Sequence, residues 1–216
     1  MIGRRAVLGT SFSLAAGAAR AGTGEPANER VNFSVLRKGS AIGTHAIAFQ
    51  RAGNVLEAHI DVSMSVGIGP ITLFRYRMTG VETWREDRFA EIETTTDNDG
   101  EKLHITARRG AAGVVVDSSK LGRATLPADA LPLTHWSIRC MSAPLFNPQD
   151  GKPMQLTVKP LGAARVALVS GADVNATRYS LTGESTLDDW YDANNVWTAL
   201  RAVATDGSII EYRRTA

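Results

Sequence analysis

Hydrophobic and polar residues alternate along most of the chain, and the clearest run covers residues 55–66. Every second position in this run is apolar: Leu56, Ala58, Ile60, Val62, Met64 and Val66. The intervening positions carry polar side chains: Glu57, His59, Asp61, Ser63 and Ser65. A strand with this period has one buried and one solvated face. It indicates an antiparallel sheet, because the strands of parallel sheets are buried on both faces.

Turn sequences divide most of the remaining chain into further strands of this kind. Clusters such as Asp97-Asn98-Asp99-Gly100 and Asp206-Gly207 are typical of hairpin turns. The predicted strands are 32–37, 42–51, 55–66, 71–84, 89–96, 103–109, 114–117, 154–159, 165–170, 175–181, 186–191, 196–204 and 209–213. Their succession predicts an up-and-down meander of hairpins.

Residues 119–151 lack the alternation. Prolines interrupt them at four positions: Pro127, Pro132, Pro144 and Pro148. Since proline excludes long regular elements, we predict at most one short helix here, near residues 134–142, with Thr134 as its cap. The predicted fold class is therefore all-β and mainly antiparallel, with a single strongly curved sheet as a half-barrel or barrel. A half-barrel, a closed barrel and a sandwich remain open alternatives.

The first 21 residues have the composition of a cleavable export signal. Arg4 and Arg5 form a positive head, and the uncharged, apolar residues 6–19 follow. This run is shorter than the roughly 20 residues that a membrane-spanning helix needs. Small residues at the end of the leader predict cleavage near Ala21-Gly22. We therefore expect a periplasmic protein with one antiparallel β domain over residues 22–216.

The leader also resembles the twin-arginine export motif. Arg4-Arg5 precedes the apolar pair Val7-Leu8, and the following run is rich in Ala and Gly. Arg20 just before the cleavage position favours the same route over general secretion. The leader thus implies the twin-arginine export machinery, which moves folded proteins, as a partner.

Removing the leader changes the charge of the chain. The full sequence has 24 Lys and Arg against 22 Asp and Glu, and removing Arg4, Arg5 and Arg20 leaves 21 against 22. The mature protein therefore has a net charge of about −1 and no basic run, so nucleic acid is not an expected partner. The single Cys140 permits no internal disulfide. We expect this cysteine to be buried and inert.

Potential metal ligands are few. The turn Asp97-Asn98-Asp99-Gly100 has Thr106 where a calcium loop would have its final glutamate. His135 and Cys140 are too few for a zinc site, and the other histidines lie on separate predicted strands. We therefore predict no metal and no cofactor.

Acidic residues near the C-terminus include a group that resembles a glycosidase site. Asp188, Asp189 and Asp192 lie beside Trp190 and Tyr191. Alternation places Asp188 and Asp189 on opposite faces of one strand, so that pair cannot converge. Asp192 is better placed to begin a turn. We therefore predict no catalytic residues and do not expect an enzyme.

Aromatic residues are the strongest candidates for a ligand site. Phe74 and Tyr76 share one face of the predicted strand 71–84, and Trp84 and Trp136 are two of four tryptophans. On a half-open sheet these four side chains would line an apolar pocket and bind a ligand. The alternative for all four is ordinary core packing.

The order of several turn and aromatic motifs is that of a known family. These are Gly39 with Gly43, Trp84 before Phe89, Thr94-Thr95-Thr96, Thr134-His135-Trp136, Asn147-Pro148-Gln149-Asp150-Gly151, Asp189-Trp190-Tyr191-Asp192 before Trp197, and residues 206–212. Over nearly all of the mature chain it resembles an exported proteobacterial β-protein family classified as a domain of unknown function. The layout is similar to that of the periplasmic lipoprotein-localisation carriers. That likeness implies a curved sheet around a plug at residues 132–146, with acyl chains in the hollow.

These expectations favour a non-enzymatic periplasmic protein that binds an apolar small molecule such as a lipid. A second hypothesis is an exported enzyme with Asp192, His135 or Cys140 meeting in one cleft. A third is an envelope scaffold or assembly partner, which would have an exposed apolar patch or free sheet edge instead of a cavity. The sequence leaves the ligand and the oligomeric state open.

Overall fold

A computed structural model describes residues 30–68 and 71–215, and this part of the chain is almost entirely β-structure. The predicted leader, residues 1–21, lies outside the described residues. The strands are β1 (Arg30–Arg37), β2 (Ser40–Ala52), β3 (Val55–Ile68), β4 (Ile71–Arg85), β5 (Arg88–Asn98), β6 (Glu101–Gly110), β7 (Gly113–Ser118), β8 (Gly122–Leu126), β9 (Leu131–Pro132), β10 (Leu145–Phe146), β11 (Pro153–Met154), β12 (Leu156–Ala167), β13 (Asp173–Gly183), β14 (Leu187–Asp192), β15 (Trp197–Val203) and β16 (Ile209–Arg214). One 3-10 helix, Ile138–Ser142, is the only helix in the described ranges.

Thirteen of the described strands form a single antiparallel sheet in the order β12-β13-β14-β15-β16-β1-β2-β3-β4-β5-β6-β7-β8. Neighbours in this sheet are consecutive in sequence, except that β16 pairs with β1. The sheet is strongly curved but not closed, since β8 and β12 are its two edges. The prediction of an all-β, mainly antiparallel curved sheet is confirmed, and the open barrel is the form that the chain adopts.

The alternation of the sequence decides which side chains enter the hollow of the sheet. On β3, Leu56, Ala58, Ile60 and Val62 are buried, while Asp61 is exposed. Side chains from both halves of the sheet meet in one core, including Phe33, Ile47, Ile105, Leu181 and Trp197. Burying each large apolar side chain of this core contributes about 1.5–3 kcal/mol to stability.

Residues 127–155, which we name the plug, connect β8 to β12 across the hollow. The plug contains the 3-10 helix and a small sheet of order β11-β10-β9, in which β9 and β10 are parallel. Leu131, Leu133 and Phe146 are buried in the common core, and Phe146 packs edge-on against Phe89 of β5. Within the described residues, no helix is both long and apolar enough to cross a bilayer.

Two local predictions were wrong. The predicted strands 154–159 and 165–170 are one strand, β12, which pairs with β13 throughout and has a bulge between Pro160 and Gly162. Proline is tolerated there because β12 is an edge strand. Thr134 is not a helix cap, since the 3-10 helix follows Ser137 and the Thr134 hydroxyl donates to Glu82 instead.

The edge strand β8 was missed by the sequence pattern. Only Leu126 of its five residues is buried, so the strand has no alternating signal to detect. The strand conformation of β8 is set by its backbone pairing with β7, which its side-chain pattern does not predict.

Candidate functional site: a histidine held between two cavities

Two buried carboxylates of the sheet hold the plug residues Thr134, His135 and Trp136. Glu82 of β4 is 1% exposed and Asp189 of β14 is 0% exposed. Both point inward because they lie on the buried face of their strands. An uncompensated carboxylate in such a position is costly, so the hydrogen-bond partners of each decide what it does.

Glu82 accepts hydrogen bonds from three neutral donors. Trp84 Nε1 donates to Oε1 at 2.7 Å, while Thr134 Oγ1 and Trp136 Nε1 donate to Oε2 at 2.7 and 2.8 Å. Burial raises the pKa of Glu82 to about 7, against the opposing effect of these three bonds. Both carboxylate oxygens are therefore occupied by protein donors, two of them from the plug, and this arrangement is an anchor.

Asp189 holds the imidazole of His135 instead. His135 Nδ1 lies 2.8 Å from Asp189 Oδ2, and Trp197 Nε1 donates to Oδ1 at 2.9 Å. The His135 ring also stacks on the Trp197 ring, with centroids 5.2 Å apart and an angle of 18° between the planes. A carboxylate at Nδ1 favours the tautomer with a proton on that nitrogen. Nε2 is then the free acceptor of the ring.

The backbone of His135 is fixed as firmly as its ring. Its φ of 67° lies in the left-handed region, which is uncommon for a residue other than glycine. The hydroxyl of Tyr191, a residue that is 0% exposed, donates to the His135 carbonyl oxygen at 2.6 Å. Such strain persists only where surrounding contacts over-determine the geometry, and it is concentrated at functional positions.

Two cavities adjoin this histidine. The first, which we name the apolar cavity, has a volume of about 540 Å³. Its apolar wall includes Met64, Val66, Phe74, Leu200, Ala202 and Ile210. The second, the histidine cavity, has a volume of about 210 Å³ and lies between the sheet and the plug. Three residues line both cavities: His135, Leu187 and Tyr212.

The histidine cavity also contains a buried histidine without a partner. His45 of β2 lines this cavity and is 5% exposed. Its Nε2 has no hydrogen-bond partner among the described residues. Burial, followed by the charge of His135, lowers the pKa of His45 to about 3. The ring is therefore neutral at physiological pH and offers polar atoms without charge.

Two tyrosine hydroxyls in the histidine cavity contact thioether sulfur, and that of Tyr76 also interacts with the Thr96 side chain. Tyr76 donates to Met78 Sδ at 3.5 Å, and Tyr212 approaches Met64 Sδ at 4.0 Å. Thioether sulfur is a weak acceptor. Burial raises the pKa of both hydroxyls, that of Tyr212 to about 12. Both phenols stay protonated and can exchange these contacts for stronger ones.

The four residues predicted to bind a ligand do not converge. Phe74 lines the apolar cavity and Tyr76 the histidine cavity. Trp84 and Trp136 pack edge-to-face at 5.5 Å, bond to Glu82, and line neither cavity. The structure thus places the aromatic pair of β4 at cavities and the tryptophan pair in the contact between sheet and plug.

The three residues of the enzyme hypothesis, Asp192, His135 and Cys140, each have a different set of hydrogen-bond partners. Cys140 is buried and donates to the Pro132 carbonyl oxygen at 3.3 Å, and burial raises the pKa of its thiol. Asp192 accepts from the Asn194 and Val196 amides and so organises a turn, as the sequence predicts. Among the described residues, the partner of His135 is Asp189 rather than either of these.

Sequence reasoning missed Glu82, Asp189 and His45. Glu82 shares the inward face of β4 with Tyr76 and Trp84, and a charged residue on an apolar face was a signal that could have been used. Asp189 was considered only with its neighbour Asp188, and the two do point to different partners. Its pairing with His135, 54 residues away, has no signal in local alternation. In residues 30–68 and 71–215, no three His, Cys, Asp or Glu side chains are grouped to hold a metal.

Comparisons with known proteins identify the fold and the family. The structure of a β-barrel-like protein of domain of unknown function DUF1849 from Brucella abortus is similar, with a TM-score of 0.59 and 11% identity. The match covers 86% of this chain and 94% of that chain, and at this identity it shows the fold alone. No curated protein matches the sequence. The model of a domain of unknown function, DUF6134, matches residues 33–215, so the chain belongs to the DUF6134 family.

Proposed function

We propose that this protein is an exported, non-enzymatic periplasmic binding protein that holds an apolar small molecule, such as a lipid, inside its curved sheet. The observation that carries the proposal is the apolar cavity, with its wall of Met64, Val66, Phe74, Leu200 and Ile210. The leader predicted from the sequence supports the periplasmic location, and the apolar lining of the cavity supports the ligand class.

The size and lining of the cavity support this assignment. Its volume of about 540 Å³ lies within the range of roughly 300–1,000 Å³ that is typical of ligand sites. An apolar chain that displaces water from the cavity gains about 25 cal/mol for each Å² of apolar surface buried.

An exported hydrolase is the second candidate, and the pair of His135 and Asp189 favours it. A carboxylate that orients an imidazole is the arrangement of a general base in nucleophilic catalysis. However, no serine or cysteine of the described chain is hydrogen-bonded to the His135 ring. Binding therefore explains more of the site than catalysis does.

Two variants with an added indole test the binding function. Ala202→Trp fills the apolar cavity, whereas Ala163→Trp places the same group on the exposed outer part of β12. The probe is N-phenyl-1-naphthylamine, a neutral apolar fluorophore whose emission rises on transfer from water. We expect micromolar binding by the wild type and the Ala163→Trp variant, and at least tenfold weaker binding by Ala202→Trp. Equal binding by all three, or none by the wild type, would overturn the proposal.

The export part of the proposal has a separate test. Replacing Arg4 and Arg5 by lysine should retain the precursor in the cytoplasm of the native host, as fractionation and immunoblotting would show. Replacing Arg20 by lysine, in the same leader but outside the paired arginines, is the matched control. Unchanged export of the double variant contradicts the twin-arginine route while leaving the binding proposal intact.

A further inference from the structure

We propose that the histidine cavity recognises an uncharged hydroxyl head group, and that the ligand is therefore a neutral amphiphile whose chain occupies the apolar cavity. This inference rests on the proposed function and specifies its ligand. It is carried by two features: the cavity contains buried polar atoms without adequate partners, and its described lining has no Lys, Arg, Asp or Glu to balance an ionised head.

The two cavities adjoin one another in a way that suits an amphiphile. His135, Leu187 and Tyr212 line both of them. The lining changes across these shared residues, from Met64, Val66 and their apolar neighbours to His45 and Tyr76. One molecule that passes this boundary would place its chain on one side and its polar end on the other.

The absence of available charge argues against an ionised head group. The described lining of the histidine cavity contains no Lys, Arg, Asp or Glu. In the apolar cavity, Arg37 and Asp206 are paired with one another. Asp189 lies behind His135 and is already bonded to it and to Trp197. A carboxylate or phosphate would lose its hydration here without gaining a counter-ion.

A ligand hydroxyl can both donate and accept a hydrogen bond, and the cavity has polar atoms suited to each role. Since Asp189 favours a proton on Nδ1 of His135, the Nε2 atom is placed to accept a hydrogen bond from a ligand hydroxyl. Tyr212, whose weak contact with Met64 Sδ is 4.0 Å long, can donate to the oxygen of the same group. His45, with Nε2 unpartnered and 5% exposure, supplies a further neutral partner. A hydrocarbon end would leave all of these buried polar groups unsatisfied.

The volume limits the head to a small group. A cavity of about 210 Å³ has room for roughly seven water molecules at about 30 Å³ each. An alcohol or a short polyol fits this space. The mouth of the cavity is partly formed by the plug residues Asn147 and Gln149, whose amides are also uncharged.

Three ligands with the same chain length test the inference. Dodecan-1-ol, dodecane and dodecanoate would be compared at pH 8 by displacement of N-phenyl-1-naphthylamine from the intact mature protein. We expect dodecan-1-ol to bind at least tenfold more tightly than dodecane, and dodecanoate more weakly than the alcohol. Equal affinity for alcohol and alkane, or the tightest binding by the carboxylate, overturns this inference but leaves the proposed function standing. Displacement by none of the three overturns both.

His135→Asn is the informative variant. The asparagine amide can occupy the position of Nδ1 and keep the bond to Asp189, and asparagine tolerates the φ of 67° better than other residues with a side chain. It has no atom in the place of Nε2. We expect the preference for alcohol over alkane, taken as the ratio of the two dissociation constants, to fall at least fivefold. An unchanged preference overturns the role of His135.

Tyr212→Phe keeps the test decisive if His135→Asn does not fold. This variant removes a hydroxyl whose protein contact is weak, so it should fold as the wild type does. We expect a fall of at least threefold in the same ratio of alcohol to alkane affinity. Circular dichroism melting curves would confirm folding of each variant, and a preference equal to that of the wild type in Tyr212→Phe contradicts the inference.

Discussion

Glu82 on β4 and Asp189 on β14 hold adjacent plug residues, Glu82 through Thr134 and Trp136 and Asp189 through His135, but their surroundings differ. The oxygens of Glu82 accept from two tryptophans and a threonine, and none of these donors is ionisable near neutral pH. Asp189 accepts from Trp197 and is paired with Nδ1 of the His135 ring. Glu82 lines neither cavity, whereas the ring that Asp189 orients lines both.

The difference shows how to separate an anchor from a site in this fold. Each carboxylate ties the plug to the sheet, so burial and hydrogen-bond number do not distinguish their roles. The two carboxylates differ in the surroundings of the side chains that are hydrogen-bonded to them. The indoles bonded to Glu82 are buried in the core and line neither cavity, while the histidine bonded to Asp189 lines both.

The largest expected effect is the loss of the Glu82 anchor. Glu82→Ala leaves three buried donors without their acceptor, and each unsatisfied buried group costs about 1–3 kcal/mol. We expect the free energy of unfolding to fall by about 4 kcal/mol in urea titrations. Asp189→Ala removes the acceptor of two donors and should cost about 3 kcal/mol.

Asp61→Ala is the control for both, because the exposed pair of Asp61 and Arg77 should contribute less than about 1 kcal/mol. A loss from Glu82→Ala no greater than that from Asp61→Ala would mean that the plug is held by apolar packing alone. The ranking of Glu82 above Asp189 would be reversed if the 2.8 Å contact with His135, rather than the number of donors, set the strength of an anchor.

The sequence predicted the antiparallel sheet that carries Glu82 and Asp189, but it did not predict the contrast between these two residues. Alternation on β3 and the turn at Asp206-Gly207 were sufficient for an antiparallel meander, because each depends on residues that are close in the chain. The pairing of β16 with β1 was not predicted, since it joins strands about 180 residues apart in sequence and depends on the curvature of the whole sheet.

The candidate site was less predictable for the same reason. Phe74 and Tyr76, which the sequence places on one face of β4, each line a cavity. Trp136 has the same aromatic character, but its indole N–H is taken by Glu82, and nothing in the local sequence around residue 136 indicates that acceptor. Asp189 and His135 meet only because the plug crosses the hollow of the sheet. The hydrophobic pattern of the sequence does not predict that crossing.

The pH dependence of the free energy of unfolding provides the second test, because Glu82 and His45 change it in opposite directions. The pKa of Glu82 is raised from its ordinary 4.5 to about 7, so its contribution to stability is present below pH 4.5 and is lost as pH rises through 7. The pKa of His45, beside His135, is lowered from 6.5 to about 3. Its contribution is present above pH 6.5 and is lost as pH falls towards 3. Between pH 4.5 and 6.5 the two slopes should largely cancel.

Two variants remove the cancellation. In Glu82→Gln the free energy of unfolding should fall by up to about 1.4 kcal/mol for each pH unit from pH 6.5 to 4.5, because only the His45 effect remains. In His45→Phe it should rise over the same interval by a similar amount. Urea titrations at half-unit steps measure both. Parallel pH profiles for the two variants would contradict the assignment of these opposing groups.

The smallest expected effect separates two tyrosines that border His135. Tyr191 donates to the His135 carbonyl oxygen at 2.6 Å and so holds a backbone whose φ is 67°. Tyr191→Phe leaves that carbonyl without its donor and should lower the free energy of unfolding by about 1–1.5 kcal/mol. Tyr212 has only the 4.0 Å contact with Met64 Sδ, so Tyr212→Phe should change stability by less than about 0.5 kcal/mol.

The two tyrosine variants should rank in opposite order for ligand preference and for stability. Tyr212→Phe removes a hydroxyl that lines both cavities, whereas Tyr191 lines neither and acts through the position of the His135 ring. We therefore expect Tyr212→Phe to reduce the preference for dodecan-1-ol directly. Tyr191→Phe should reduce it only if the ring moves, which the histidine ring resonances in NMR spectra would report. If Tyr212→Phe is the less stable variant and keeps the preference, its hydroxyl belongs to the anchoring of the plug, and the contrast between the two regions fails at this residue.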